Sequence, residues 1–309
     1  MSRIQFTGFA LSLMLAVFDV CAQQANPGPR PPDFSKVDIK VDDLGHRTYM
    51  LEGQGGNITL AVADDGIIMV DSEFAPLHDK IKAAIATVTD QPVRYLIDTH
   101  FHLDHTGGSA AFAAEGAAVV AQENVRKRLA AGTEGMNGNH MTPLPESDLP
   151  TKVYGDELTL KLKGRMAELR HLSAAHTDGD TYVYFADANV LATGDLVSIG
   201  RYPYIDVVNG GNLKGMIAAA NALLKRTTDR TRIVPGHGPL AGKPDLLVYR
   251  DMLQSAHTRM EKLVREGKSE DDVLAARPFA DFDAKFGATE QASQNFIRAV
   301  YRSLKTGAS

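Results

Sequence analysis

Between Thr99 and Gly108 the chain reads THFHLDHTGG, which puts His100, His102, Asp104 and His105 within six residues. Neutral imidazole nitrogen and carboxylate oxygen are the donors that suit zinc and its borderline neighbours. Stacking ionisable groups at one spot brings no packing benefit, so a shared ligand is the simplest reason for the cluster. The preceding run Val93–Asp98 is apolar and β-prone, which sets the cluster where a buried strand runs out. In extended backbone, residues two apart point the same way, so His100, His102 and Asp104 converge on one side. His105 projects differently as the chain turns through Thr106-Gly107-Gly108 into a predicted helix at Ser109–Ala114. Two ligand directions predict two adjacent metal positions.

Further ligand types stand in similar places. His176 lies in HTDGD before the β-like run Thr181–Phe185, and Asp195 ends the run that starts at Val190. His237 sits in PGHGP after the short apolar run Arg232–Val234. Each has glycine beside it, whose missing side chain lets backbone and ligand crowd together. Of the ten histidines, five remain. His46, His78 and His257 lie in polar stretches and read as surface, and His171 reads as structural. His140 sits in a Gly- and Pro-rich loop from which it could reach a substrate.

The elements that must position these residues follow from pattern. Short β-like runs alternate with turns from Val37 to Val70, and Leu77–Thr89 has helical composition before the strand that leads to His100. A strand at Val119–Ala121, a helix at Glu123–Ala131 and a loop from Gly132 to Pro150 come next. Strands resume over Val153–Leu162, Glu168–Leu172, Thr181–Phe185 and Val190–Ala192. Helices are predicted at Leu213–Arg226 and Asp245–Glu266. This order suits two stacked sheets with helices outside, with all the candidate ligands along one edge.

The order of motifs resembles the metallo-β-lactamase superfamily: HxHxDH, a His before Gly-Asp, a Gly-Asp strand end and a Gly-His-Gly loop, over roughly residues 40–240. The resemblance implies an α/β fold, a four-layer αββα sandwich formed as a single domain over 36–245, with a C-terminal helical extension at 246–309 packed on it. It assigns His100, His102 and His176 to a first metal and Asp104, His105 and His237 to a second. Asp195 matches the carboxylate that bridges both, and Asp71 matches a structural aspartate at a strand end. This ligand set is that of glyoxalase-II-like hydrolases. Zinc β-lactamases carry Cys or Ser where this chain has Asp195, and the substrate-anchoring Lys of one subclass is replaced by Ser198. The implied cofactor is two Zn²⁺ per chain, with iron or manganese as alternatives.

Composition sets outer limits. With 309 residues, 44% apolar and 23% charged, the chain is long enough for a substantial core. A net charge of −5 and no basic run argue against a nucleic-acid partner. At the N-terminus Arg3 precedes an apolar stretch, Phe6–Val20, and Val20-Cys21-Ala22 fits a small-x-small cleavage rule. Residues 1–22 are therefore expected to be a secretory signal peptide and 23–35 a flexible leader. That predicts a periplasmic or secreted protein with no stable membrane insertion after cleavage. Cleavage would remove Cys21, the chain's one cysteine, and leave only His and carboxylate as ligands.

The expected chemistry is hydrolysis by metal-bound hydroxide, with Asp104 and Asp195 as the catalytic carboxylates. Two divalent ions outweigh both carboxylates and one hydroxide, so the site favours a small anionic substrate. Arg201 is placed to hold a substrate carboxylate, Tyr202 and Tyr204 to offer apolar faces, and Asn212 to donate to a developing oxyanion. No Gly-x-Ser-x-Gly elbow supports a covalent route. Three readings follow: a secreted, β-lactamase-like hydrolase that opens a cyclic amide or ester; a glyoxalase-II-like thioesterase or lactonase; and an iron-loaded redox or non-catalytic metal-binding protein.

Overall fold

The computed structural model describes residues 33–135, 140–287 and 289–306, together with Met1. Apart from Met1 and Asp33–Ser35, the predicted signal segment 1–22 and leader 23–35 lie outside the described residues. In chain order the strands are β1 (Lys40–Asp43), β2 (Thr48–Glu52), β3 (Ile58–Val62), β4 (Ile67–Val70), β5 (Val93–Asp98), β6 (Ala118–Gln122), β7 (Thr133–Glu134), β8 (His140–Met141), β9 (Lys152–Tyr154), β10 (Glu157–Leu162), β11 (Arg165–His171), β12 (Thr181–Phe185), β13 (Val190–Ala192) and β14 (Arg232–Val234). The α-helices are α1 (His78–Ala86), α2 (Leu103–Thr106), α3 (Ser109–Ala114), α4 (Glu123–Ala131), α5 (Leu213–Arg226), α6 (Lys243–Arg265), α7 (Glu270–Ala276), α8 (Ala280–Phe286) and α9 (Glu290–Thr306).

A seven-stranded sheet runs β1-β2-β3-β4-β5-β6-β9 and a five-stranded sheet runs β10-β11-β12-β13-β14, while β7 and β8 form a separate ribbon. The layers follow from the period of two along each strand. On β4, Ile67 and Met69 pack with Ile81 and Ile85 of α1, whereas Ile68 and Val70 join Leu169, Val183 and Phe185 of the other sheet. On β13, Val190 and Ala192 enter that same inter-sheet cluster, and Leu191 packs outward with Met216, Leu223 and Leu253. Each sheet is thus apolar on both faces and must be covered twice, which gives helix, sheet, sheet, helix. Each of the buried Val, Leu, Ile, Met and Phe side chains contributes about 1.5–3 kcal/mol against exposure, and the double coverage is what makes such apolar strands stable.

The described residues from Phe34 onward form one compact unit. Helix α6 runs across the 245/246 boundary and packs on α5 and α9. His78 and His257, read from sequence as surface, are half-buried. The His78 ring lies 4.5 Å from that of Phe112, because the first turn of α1 tucks against α3.

Pairing direction builds the functional edge. Strands β4 and β5 are parallel, as are β13 and β14, so the C-terminal ends of each pair lie side by side. Strand β12 is antiparallel to β13 and begins at the same edge. There the Thr181 N–H donates to the Thr99 carbonyl at 2.8 Å, tying one sheet to the other.

Candidate metal centre

Every predicted ligand emerges at this edge. His100 and His102 follow β5, and Asp104 and His105 sit on α2. His176 precedes β12, Asp195 lies in the turn after β13, and His237 follows β14. Ligand atoms of His100, His102 and His176 all lie within 4.8 Å of one another; so do those of His100, His105 and Asp195, and those of Asp104, His105 and His237.

The outer ring nitrogens fix what the inner ones can do. His102 Nε2–H donates to Asp206 Oδ2 at 3.0 Å, His105 Nδ1–H to Asp71 Oδ2 at 2.8 Å and His176 Nδ1–H to the Tyr204 carbonyl at 2.8 Å. Thr99 Oγ1–H donates to Asp71 Oδ2 at 2.9 Å, which leaves Thr99 Oγ1 to accept from His100 Nδ1–H at 3.0 Å. With the proton held outside, the inner nitrogens of His100, His102 and His176 each carry a lone pair. His102 Nδ1 lies 3.2 Å from His100 Nε2 and 3.0 Å from His176 Nε2. Three lone pairs at this spacing repel one another unless a cation sits among them. A tetrahedral zinc with Zn–N of about 2.0–2.1 Å calls for inner nitrogens about 3.3 Å apart.

The second cluster makes the same case from unmet polarity. His105 Nε2 and Asp195 Oδ1 are buried and without a hydrogen-bond partner among the described residues. Asp195 Oδ1 stands 3.3 Å from His105 Nε2 and 3.4 Å from His237 Nε2, while its Oδ2 faces His176 Nε2 at 3.6 Å. One carboxylate therefore turns an oxygen toward each cluster. Asp104 Oδ2 lies 3.2 Å from His237 Nε2. Orphaned donors of this kind, buried and convergent, fit two divalent ions.

Electrostatics divides the clusters. Burial, joined by the neighbouring His105, His176 and His102, holds the His100 imidazole well below its usual range. Burial likewise pushes His176 down to about 4, although Asp195 opposes it. At His237 burial acts the other way from the result: Asp195 and Asp104 overcome it and lift the ring to about 9. Burial is also outweighed at His105, which Asp71, Asp104 and Asp195 raise well above the ordinary value. Burial would raise Asp104, yet His105 and His237 bring it down to about 2.

Backbone strain and close approach support the site. Asp71 has φ +62° and Glu73 φ +53°, a region costly for residues with a side chain. That turn aims Asp71 at Thr99 and His105, and lets Glu73 accept the N–H groups of Gln54 and Gly55 at 3.1 and 2.8 Å. A Cβ on Gly56 would collide with the His105 imidazole, and one on Gly236 with the Asp195 carboxylate.

A cavity of about 460 Å³ opens onto His102, Asp104, Asp195 and His237. Its apolar wall comes from Phe74, Phe101, Leu103, Met141 and Tyr204, and Arg201 and His140 also line it. Arg201 thus stands beside the centre and is exposed. Tyr202 touches the cavity but is mainly structural: its ring stacks on Phe296 at 4.5 Å and its hydroxyl donates to the Phe279 carbonyl. Asn212 is not brought to the cavity. It is the N-cap of α5, its Oδ1 accepting the Lys214 N–H at 2.8 Å, and that local bond satisfies a helix donor rather than an oxyanion. Sequence pattern does not single out Asp206, Asn209 or Glu73. The signature Asp-x-x-Asn-Gly marks only a turn, and nothing local says that it reaches His102.

The metallo-beta-lactamase superfamily model matches residues 51–237. Among curated proteins, a linear primary-alkylsulfatase from Pseudomonas sp. is 22% identical over 69% of this chain and 48% of its own length. A hydroxyacylglutathione hydrolase from Polaromonas sp. is 28% identical, over 58% of this chain and 65% of the relative. The chain spans about half the length of the alkylsulfatase and about two thirds of that of the hydroxyacylglutathione hydrolase. Among solved structures, a metallo-beta-lactamase from Pontibacter korlensis superposes with TM-score 0.58 at 20% identity, covering 70% of this chain and 99% of that one. With a family match spanning the strands and turns that carry all seven candidate ligands, this chain belongs to the metallo-beta-lactamase superfamily.

Proposed function

We propose that this chain is an exported dinuclear zinc hydrolase that opens a cyclic amide or ester in a small anionic substrate. The observation that carries the reading is Asp195, whose two oxygens face two separate ligand clusters. His100, His102 and His176 would hold one ion and Asp104, His105 and His237 the other, with Asp195 between them. Divalent ions held there would lower the pKa of bound water from about 15.7 toward roughly 7 and would polarise an acyl oxygen, so no protein nucleophile is needed. The Asp104 carboxylate, 28% exposed at the cavity floor, orients the attacking water and accepts its hydrogen bond. The Arg201 guanidinium pairs with the substrate's anion through parallel N–H donors. The apolar wall excludes water around the scissile group.

A glyoxalase-II-like thioesterase or lactonase is the second reading, favoured by a carboxylate rather than a thiolate at 195 and by the hydroxyacylglutathione hydrolase relative. Zinc-reconstituted protein assayed against nitrocefin, S-lactoylglutathione and a lactone separates the two. Turnover of nitrocefin or the lactone, lost in His102→Ala, is the expected result. If metal-loaded protein leaves all three intact, the hydrolytic reading fails.

A further inference from the structure

A second cleft, of about 350 Å³, lies between the segment Gly200–Ile205 and the C-terminal helices, where Phe286 of α8 and Ala292, Phe296 and Ala299 of α9 face it. Arg201, Tyr202 and Tyr204 line both this cleft and the cavity at the metal centre. The two hollows therefore flank one strip of chain, with an exposed guanidinium on it. Away from that strip the lining is apolar among the described residues except for Asn295. Nothing in the chemistry described above uses the second cleft. Exposed apolar side chains also gather near the metal cavity: Leu103, on its wall, is 44% exposed, and Val208, next to the lining residue Asn209, is 52% exposed. Isolated exposed apolar residues are ordinary, but a cation between an apolar cleft and an apolar-rimmed cavity is matched by an amphiphile.

We propose that this cleft binds the apolar chain of an amphiphilic anion, its head paired with Arg201 and its scissile bond reaching the metal cavity. The assignment names the substrate class of the hydrolytic site and rests on that reading. Its test uses binding rather than turnover, so the failure of one is not the failure of the other. Tyr202, stacked on Phe296 at 4.5 Å and 6.0 Å from the ring of Phe286, gives the cleft a rigid aromatic floor. A preformed cleft of this kind does not spend binding energy on ordering itself. Ala292, on the first turns of α9 and half-buried, is the point from which the cleft can be filled without touching the metal side.

Calorimetric titration with butanoate, hexanoate, octanoate and decanoate tests the proposal on the full chain. Each added methylene should lower Kd about threefold to fourfold in the native protein, the value expected for burying CH₂. Ala292→Trp should flatten that dependence and weaken decanoate at least about tenfold, with folding checked by circular dichroism. Asn295→Leu removes the cleft's polar side chain and should tighten decanoate while leaving butanoate unchanged, which keeps the test valid should Ala292→Trp not fold. A Kd independent of chain length overturns the proposal, as does a chain-length dependence that neither variant alters. Loss of hydrolysis with chain binding intact would instead count against the hydrolytic reading.

Discussion

Each candidate ligand histidine whose outer nitrogen has a partner owes its tautomer to one acceptor, and these acceptors differ in how visible they are in sequence. HxHxDH is compact, so four of the seven ligands could be read directly, but the extended run expected from His100 to Asp104 stops at His102: Asp104 sits on α2 and joins His105 and His237 rather than His100 and His102. His176, Asp195 and His237 were legible as strand ends with glycine beside them, though only the fold brings them together. Asp206 lies 104 residues from the His102 it orients, and no local pattern links them. The turn at Asp206 binds the Asn209 N–H and Nδ2, and Asn209 Nδ2 also donates to the Glu134 carbonyl at 2.8 Å, so the ribbon β7–β8 hangs on the same support. Outer partners of this type commonly set metal affinity within a factor of about 10 to 100. Asp206→Ala should weaken zinc binding by about that factor with the fold unchanged, as chelator competition and circular dichroism can show. Wild-type affinity in the variant would demote Asp206 to a loop residue.

At the scale of elements, sequence and structure agree on the buried strands and part at breaks and caps: the run expected as strand over Val153–Leu162 divides at Gly155 into β9 and β10, which belong to different sheets. The apolar runs at β4, β5 and β13 announced buried strands, and their alternation set the four layers. Asn212 shows the limit. A polar residue after Gly210-Gly211 and near Asp195 in sequence looks like a donor for the site, but an Asn directly before an apolar helix is a capping residue first. Asn212→Ala should therefore cost about 1 kcal/mol of stability and leave kcat and KM on the best substrate unchanged. A selective fall in kcat without loss of stability would restore it to the oxyanion role. Arg201 is the converse case, a loop cation that the topology does deliver to the cavity wall.

The whole molecule joins two sheets so that burial holds His100 and His176 of one cluster below the usual imidazole range, while carboxylates hold His105 and His237 of the other above it. In metal-free protein near pH 7, His100 and His176 lie below their usual range and bind no proton, so the first ion has none to displace there. His237, raised to about 9, is protonated at that pH and must lose a proton to ligate, and the carboxylates around His105 raise its ring in the same direction. The sign is fixed by the raised values: affinity at the second cluster increases as pH rises toward about 9, by about tenfold per unit for each proton displaced. Zinc titrations in buffers of different ionisation enthalpy should show proton release confined mainly to the second equivalent. Equal release for both would contradict the division between the clusters.

The central claim is that the His and Asp side chains of this edge hold two ions with Asp195 between them, and anomalous diffraction from zinc-loaded crystals tests it most directly. Two peaks per chain are expected about 3.5–4 Å apart, one among His100, His102 and His176, the other among Asp104, His105 and His237, with an Asp195 oxygen on each. A single peak in fully loaded protein, or a second peak away from Asp195, would contradict it.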